Sequence, residues 1–291
     1  MKMICADVGG TSVKAALISV GRRHLSQTYK IKKFCSVPTR SDLGSEGVRE
    51  SVLKAISQVK EDDVADIVAI ATAGEVDWDD GCVLRATSAL PGFCGYAFSK
   101  DMSDRLGTRV VVINDACAAA VCEHYFANKR ARSTLVLTIG TGLGSALVTD
   151  GEIDGKHVYD LELGHREFVR DGYVCRCGNR GCLEQYLSAT AIKRDAGKST
   201  VKEAFTYTGE KNCIAAKNRF LSVLNKVATD AAAEFAPERI LVGGGLAEMK
   251  NLWYDEFRAR YGDVVSIARM GNKAGLLGAA YAALNGKFED Q

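Results

Sequence analysis

The chain has 291 residues, with 47% hydrophobic and 25% charged residues and 3 Pro against 29 Gly; this supports a large hydrophobic core and excludes a disordered, collagen-like or Pro-rich linker protein. The 38 Lys+Arg against 36 Asp+Glu leave a net charge of +2, too near balance to gather nucleic acid or an anionic membrane surface non-specifically. No run reaches the roughly 18 to 20 uninterrupted apolar residues of a bilayer span. The opening MKMICADVGG meets Asp7, Gly9 and Gly10 before a signal-peptide core can form, so a cytoplasmic location without membrane or nucleic-acid partners is expected. The 10 Cys agree, since most lie singly in apolar contexts while Cys175, Cys177 and Cys182 are clustered, which suggests a metal and not a disulfide framework.

In chain order the pattern is α/β. Met3 to Val8 reads as a strand, Gly9, Gly10 and Thr11 as a turn, and Val13 to Val20 as a returning strand. Ser51 to Glu61 has helical spacing, and Ile67 to Thr72 is a buried-strand run that ends at Gly74. Met102 to Leu106 closes a helix at Gly107, Arg109 to Ile113 is a strand, and Ala116 to Ala127 is helix-prone after Asp115. Thr134 to Ile139 then runs into Gly140, Thr141, Gly142 and Gly144 and returns as Ser145 to Thr149. This second strand-turn-strand unit implies an internally duplicated fold. A helix from about Phe220 to Phe235 stops before Pro237, Arg239 to Val242 is a strand feeding Gly243, Gly244 and Gly245, and Ala274 to Leu284 is a final helix.

Paired glycines let backbone N–H groups approach an anion, and Thr11 adds a hydroxyl donor, so the two Gly/Thr turns suit a polyphosphate clamped between them. Asp7 at the strand end suits Mg²⁺ through water. Each turn alone is equally an ordinary tight hairpin. Neither carries the GK[ST] ending of a Walker A loop or the spacing of a dinucleotide fingerprint. Gly243 to Gly245 offers bare backbone on which a nucleoside could lie, or simply a close strand–helix turn. Asn114 and Asp115 stand between a strand and a helix, where a fixed carboxylate serves as a general base or as a plain N-cap. His165, Cys175, Cys177 and Cys182 match a closed tetrahedral Zn²⁺ site, with Gly178 and Gly181 letting the chain wrap the ion; the alternative is reduced structural cysteines beside an unrelated His. Glu162 and Glu184 flank this cluster, either aimed at a polar substrate or solvated.

Together these residues strongly resemble the ROK family of sugar kinases in the actin-like ATPase superfamily, over nearly the whole chain. Asp7, Gly9, Gly10, Thr11 and Lys14 resemble its first phosphate motif, Thr138 with Gly140, Thr141, Gly142 and Gly144 its second, and Gly243, Gly244 and Gly245 its adenosine motif. Glu162 to His165 (ELGH) and Cys175 to Tyr186 (CRCGNRGCLEQY) resemble its zinc signature. The resemblance implies a two-lobed, ribonuclease H-like fold with duplicated mixed sheets and a zinc loop. A smaller N-terminal lobe would comprise 1–114 plus 276–291 and a larger C-terminal lobe 115–275. It further implies transfer of the ATP γ-phosphoryl group to the primary hydroxyl of a hexose or N-acyl hexosamine, with Asp115 accepting the proton and Mg²⁺ and the turns holding the phosphates. Asn114, Glu162, His165 and Glu184 would bind the sugar with Gly74 lining the pocket, and lobe closure would exclude water in a homodimeric enzyme.

The zinc loop resembles the glucokinase branch, whereas ALPGF at Ala89 to Phe93 stands where glucokinases usually read NLPGW, so N-acetylmannosamine is the second expected substrate. Loss of zinc is expected to weaken sugar binding much more than ATP binding, since the ATP turns are read as lying elsewhere. Part of the family is sugar-responsive repressors with a DNA-binding domain; with a phosphate hairpin starting within the first ten residues, no such domain is expected ahead of it here.

Overall fold

The computed structural model describes residues 1–20, 29–60, 65–86, 89–127, 131–149 and 158–285. Strand β1 (Lys2–Val8) and β2 (Ser12–Val20) form the expected hairpin, with Asp7 opposite Lys14 and Val8 opposite Val13. β3 (Tyr29–Pro38) extends it antiparallel, while β4 (Ile67–Thr72) pairs parallel with β1. Helix α1 (Gly44–Val59) begins earlier than the expected Ser51, because Gly47 and Val48 continue its buried face; the expected end at Glu61 lies outside the described residues. A short ribbon, β5 (Glu75–Val76) and β6 (Val83–Arg85), and helix α2 (Phe98–Leu106) precede β7 (Val110–Asn114), which completes the order β3-β2-β1-β4-β7.

The period-2 alternation of β1 divides its side chains between two covered faces. Ile4, Ala6 and Val8 share one apolar cluster with Val48, Val52 and Ile56 of α1 and Phe98 and Met102 of α2. Met3, Cys5 and Asp7 alternate to the other face, against which the last helix packs. After β7 comes α3 (Asp115–Cys122), which continues as one π-helical turn, Glu123–Ala127.

The second sheet repeats the pattern of the first. β8 (Ser133–Ile139) pairs antiparallel with β9 (Leu143–Thr149). After the short β10 (Val158–Asp160), helices α4 (Ala189–Ala196), α5 (Val201–Thr206) and α6 (Lys211–Phe235) lead to β11 (Arg239–Gly243), which pairs parallel with β8. Helices α7 (Gly245–Glu248) and α8 (Tyr254–Tyr261) precede β12 (Ser266–Ile267), parallel to β11. Helix α6 starts at Lys211 and not near Phe220, since Cys213 and Ala216 extend the stripe that buries Phe220, Leu224 and Val227 against Leu135, Leu137 and Trp253. It stops at Ala236, left-handed at φ 45°, just before Pro237. α9 (Ala274–Asn285) ends the described chain, so 286–291 of the expected N-terminal lobe lie outside it.

Two compact units result: Met1–Lys129 with Gly151–Asp160 and Lys273–Gln291, and Arg130–Asp150 with Leu161–Asn272. The first extends past Asn114, where a boundary is expected, to Lys129. The cause is contact between α3 and α9 so close that a Cβ on Gly278 would lie 1.8 Å from the Ala118 carbonyl oxygen.

Candidate active site

In the first unit the β1–β2 turn is closed by the Gly9 N–H donating to Ser12 O at 3.1 Å. Thr39 ties it from the end of β3: its N–H donates to Thr11 O at 3.1 Å and its hydroxyl to Gly9 O at 2.5 Å. Gly10 packs against Ala89, whose Cβ would be 2.9 Å from a Cβ placed there. Asp7 lies at the end of β1 against the start of α9, where a Cβ on Gly275 would come within 2.8 Å of its carboxyl carbon. Burial pushes the Asp7 carboxyl above its ordinary range, while Lys14, with Nζ 3.7 Å from Oδ2, pulls it down.

That arrangement stores a testable cost. A folded pKa above the unfolded value of about 3.9 means that Asp7 contributes stability below that pH and loses it as pH rises through the folded pKa. Asp7→Asn should therefore raise the Tm of the metal-free protein by a few degrees at neutral pH, with a gain that vanishes below about pH 3.9. Melts of both proteins across pH check this; equal Tm values at neutral pH would contradict it.

Asn114 and Asp115 meet the helix differently from a simple Asp cap. Asn114 is the N-cap: its Oδ1 accepts the Cys117 N–H at 2.9 Å, and its Nδ2 donates to Gly74 O at 2.7 Å. Asp115, half-buried, is the first residue of α3, so the N-cap position that the plain alternative gives it belongs to Asn114. Gly74 is held at φ 100°, and a Cβ there would lie 2.5 Å from Arg85 O, so only glycine fits without strain. Gly74, Asn114 and Asp115 thus form one hydrogen-bonded corner at the carboxyl ends of β4 and β7.

In the second unit, Thr138 lies opposite Gly144 on one side and Gly243 on the other, so both glycine motifs converge on the end of β8. Gly144 belongs to β9, which leaves Gly140, Thr141 and Gly142 as the turn. Gly244, at φ 75°, approaches Ile139 so closely that a Cβ would be 2.6 Å from its carbonyl oxygen, and Gly245 opens α7. The turn is not isolated from the zinc motif, contrary to the expectation that the two lie apart. Glu184 Oε2 accepts the Leu143 N–H at 3.0 Å, and a Cβ on Gly164 would lie 2.2 Å from Leu143 O. The flanks of the Cys cluster fold back onto the turn, a contact with no local sequence signature.

The ligand atoms of His165, Cys175, Cys177 and Cys182 all lie within 4.8 Å of one another. Cys175 Sγ is 3.7 Å from His165 Nδ1, and Cys177 Sγ is 3.6 Å from Cys182 Sγ. Tetrahedral Zn²⁺ with bonds of about 2.0 to 2.3 Å requires ligand separations of this size, so the four residues fit the ion. Gly181 permits the wrap: at φ 71°, its Cβ would sit 1.8 Å from Val169 O. Burial and the neighbouring thiols push Cys182 up to about 12, and burial likewise raises Cys175. A divalent cation would reverse that by stabilising the thiolates. With Nδ1 toward the thiols, His165 Nε2 lies 3.8 Å from Glu162 Oε2. Glu162 itself is in the left-handed region at φ 47°.

Thr39, Gly275 and Gly278 were not singled out by sequence, and Gly164 was read only as part of the motif ELGH, not as a contact of Leu143. The spacing of Gly275 and Gly278 in a helix-forming stretch was the available signal for a close helix contact; Thr39 has none. No helix among the described residues is long and apolar enough to cross a membrane.

The model of the ROK family matches residues 3–285. A glucokinase from Thermotoga maritima is 28% identical, over 96% of this chain and 96% of its own length. An N-acetylmannosamine kinase from Citrobacter koseri is 27% identical, over 99% of this chain and 100% of its own. The crystal structure of a ROK family glucokinase from Streptomyces griseus in complex with glucose and AMPPNP superposes with a TM-score of 0.82 at 27% identity, over 96% of this chain and 98% of that one. With its paired mixed sheets, its two Gly/Thr turns and a family match across almost its whole length, this chain belongs to the ROK family.

Proposed function

We propose that this ROK sugar kinase transfers the γ-phosphoryl group of MgATP to the 6-hydroxyl of a hexose, with glucose as the first substrate. The observation that carries this reading is Asp115 at the start of α3, beside an Asn114 whose amide ties the corner to Gly74. Asp115 accepts the hydroxyl proton as the sugar oxygen attacks phosphorus and the bridging oxygen leaves with ADP. Gly9, Gly10 and Thr11 hold phosphate oxygens, as do Thr138, Gly140, Thr141, Gly142 and Gly144, while Gly243 to Gly245 receive the adenosine. Asp7 and Lys14 serve the metal-bound phosphates, and Mg²⁺ when bound neutralises developing phosphate charge. Asn114, Glu162, His165 and Glu184 bind the remaining sugar hydroxyls, Gly74 lines the pocket, and structural Zn²⁺ on His165, Cys175, Cys177 and Cys182 keeps that loop in shape. A cytoplasmic homodimer completes the reading.

N-acetylmannosamine is the second reading, favoured by Ala89. A methyl where glucokinases usually carry an amide loses one sugar hydrogen bond, worth about 1 to 3 kcal/mol. Coupled ADP release with glucose, mannose, fructose, N-acetylglucosamine and N-acetylmannosamine tests both. Highest kcat/KM on glucose supports the first reading and highest on N-acetylmannosamine the second. Sugar binding without ADP release from any of them would instead mark a regulator and remove the kinase assignment.

A further inference from the structure

Glu184 stands in the proposed sugar set, yet its carboxylate is engaged with the second Gly/Thr turn. Oε2 accepts the Leu143 N–H at 3.0 Å. The approach is close enough that a Cβ on Gly142 would meet the same oxygen at 2.2 Å and the carboxyl carbon at 3.1 Å. The other side of Leu143 is backed by Gly164, and two bonds from the start of α4 hold the first half of the turn: Ala189 N–H to Gly140 O at 2.8 Å and Thr190 Oγ1 to Thr141 O at 2.7 Å. The β1–β2 turn has no comparable carboxylate contact among its described bonds and is held by Thr39 instead. A carboxylate beside a turn that receives triphosphate is electrostatically unfavourable, so its presence there calls for a geometric role. An N–H donated to Glu184 is directed away from a phosphate, and the ψ of Gly142 and φ of Leu143 are fixed by that bond.

We propose that Glu184 is a positioning residue for the nucleotide: by holding the Leu143 N–H it sets the shape of the Gly140–Leu143 turn, and so governs affinity for the triphosphate even when no sugar is present. The inference rests on the kinase reading for the identity of the ligand. Because Glu184 follows Cys182 by two residues, and Cys175 Sγ lies 3.9 Å from its Oε1, the side chain also links the Cys/His loop to that turn.

The experiment is calorimetric titration of Mg²⁺·AMPPNP into sugar-free protein, wild type against Glu184→Ala and Glu184→Gln, with hydrogen exchange at the Leu143 amide measured in the nucleotide-free state. Glu184→Ala should weaken AMPPNP about tenfold or more, and speed Leu143 exchange by about tenfold or more. Glu184→Gln, whose amide oxygen still accepts the N–H, should remain within about threefold of wild type in both. Gly142→Ala, which pushes on the carboxylate from the turn side, should weaken AMPPNP as Glu184→Ala does. If the wild type binds AMPPNP and Glu184→Ala binds it equally well with unchanged exchange, Glu184 serves the sugar alone and the proposal is wrong. If the wild type itself binds no AMPPNP, the kinase reading fails first and the proposal falls with it.

Discussion

Asp115→Asn should lower kcat by about 10²- to 10⁴-fold, the range expected for loss of a positioned general base, while sugar affinity stays within about threefold. The substitution keeps the shape of the side chain and removes only its capacity to take a proton. The helix that presents it should not move, because α3 is capped by Oδ1 of Asn114, and its far side is held by the close backbone contact at Gly278. Stopped assays of ADP formation and direct titration with glucose separate the two effects. Turnover within about threefold of wild type would take Asp115 out of the proton-accepting role.

Loss of the proposed zinc ion should be nearly as damaging, and broader than the sequence suggests. Cys182 is fully buried and its neighbours organise the loop: Leu183 N–H donates to Arg166 O at 3.0 Å and Phe168 N–H to Gly181 O at 2.8 Å. Cys182→Ala should reduce bound zinc from roughly one ion per chain to near none. It should also raise the KM for sugar by about 10- to 100-fold, since His165, Glu162 and Glu184 depend on the same loop. The KM for ATP should rise as well, because Leu143 is held between Gly164 and Glu184, which flank the ligands. Metal analysis decides the first part and paired sugar and ATP titrations the second. A fully active protein purified without zinc would refute the orienting role, and an unchanged KM for ATP would separate the turn from the metal.

What the sequence by itself determined is local in origin. Short apolar runs bounded by glycine turns marked β1, β2, β4, β8 and β11, because burial of one or both strand faces is written in consecutive residues. The glycine turns were legible since close backbone approach demands glycine, as at Gly10, Gly142 and Gly244, and the cluster His165, Cys175, Cys177 and Cys182 because its four soft donor side chains follow one another closely in the chain. The two-fold repetition of strand-turn-strand was visible for the same reason, and both sheets bear it out. Helix lengths were underestimated where Ala, Gly and Cys, weak in hydropathy, extend a buried stripe, as at the starts of α1 and α6.

Only the tertiary structure decided which groups the polar side chains address. Asn114 reaches Gly74 across 40 positions, and Leu143 reaches Glu184 across 41. Asp7 is fitted against Gly275 near the far end of the chain, and Gly278 against Ala118. Such contacts leave no periodic trace, because a hydrogen bond or a backbone approach between distant segments constrains one residue at each end and nothing between them. Residue identity suggested a chemistry for Asn114, Glu184 and Asp7, whereas their partners followed, within the first unit, from how its sheet brings the ends of β1, β4 and β7 to their turns and, within the second, from how its own sheet brings the end of β8 to the Gly140–Gly142 turn.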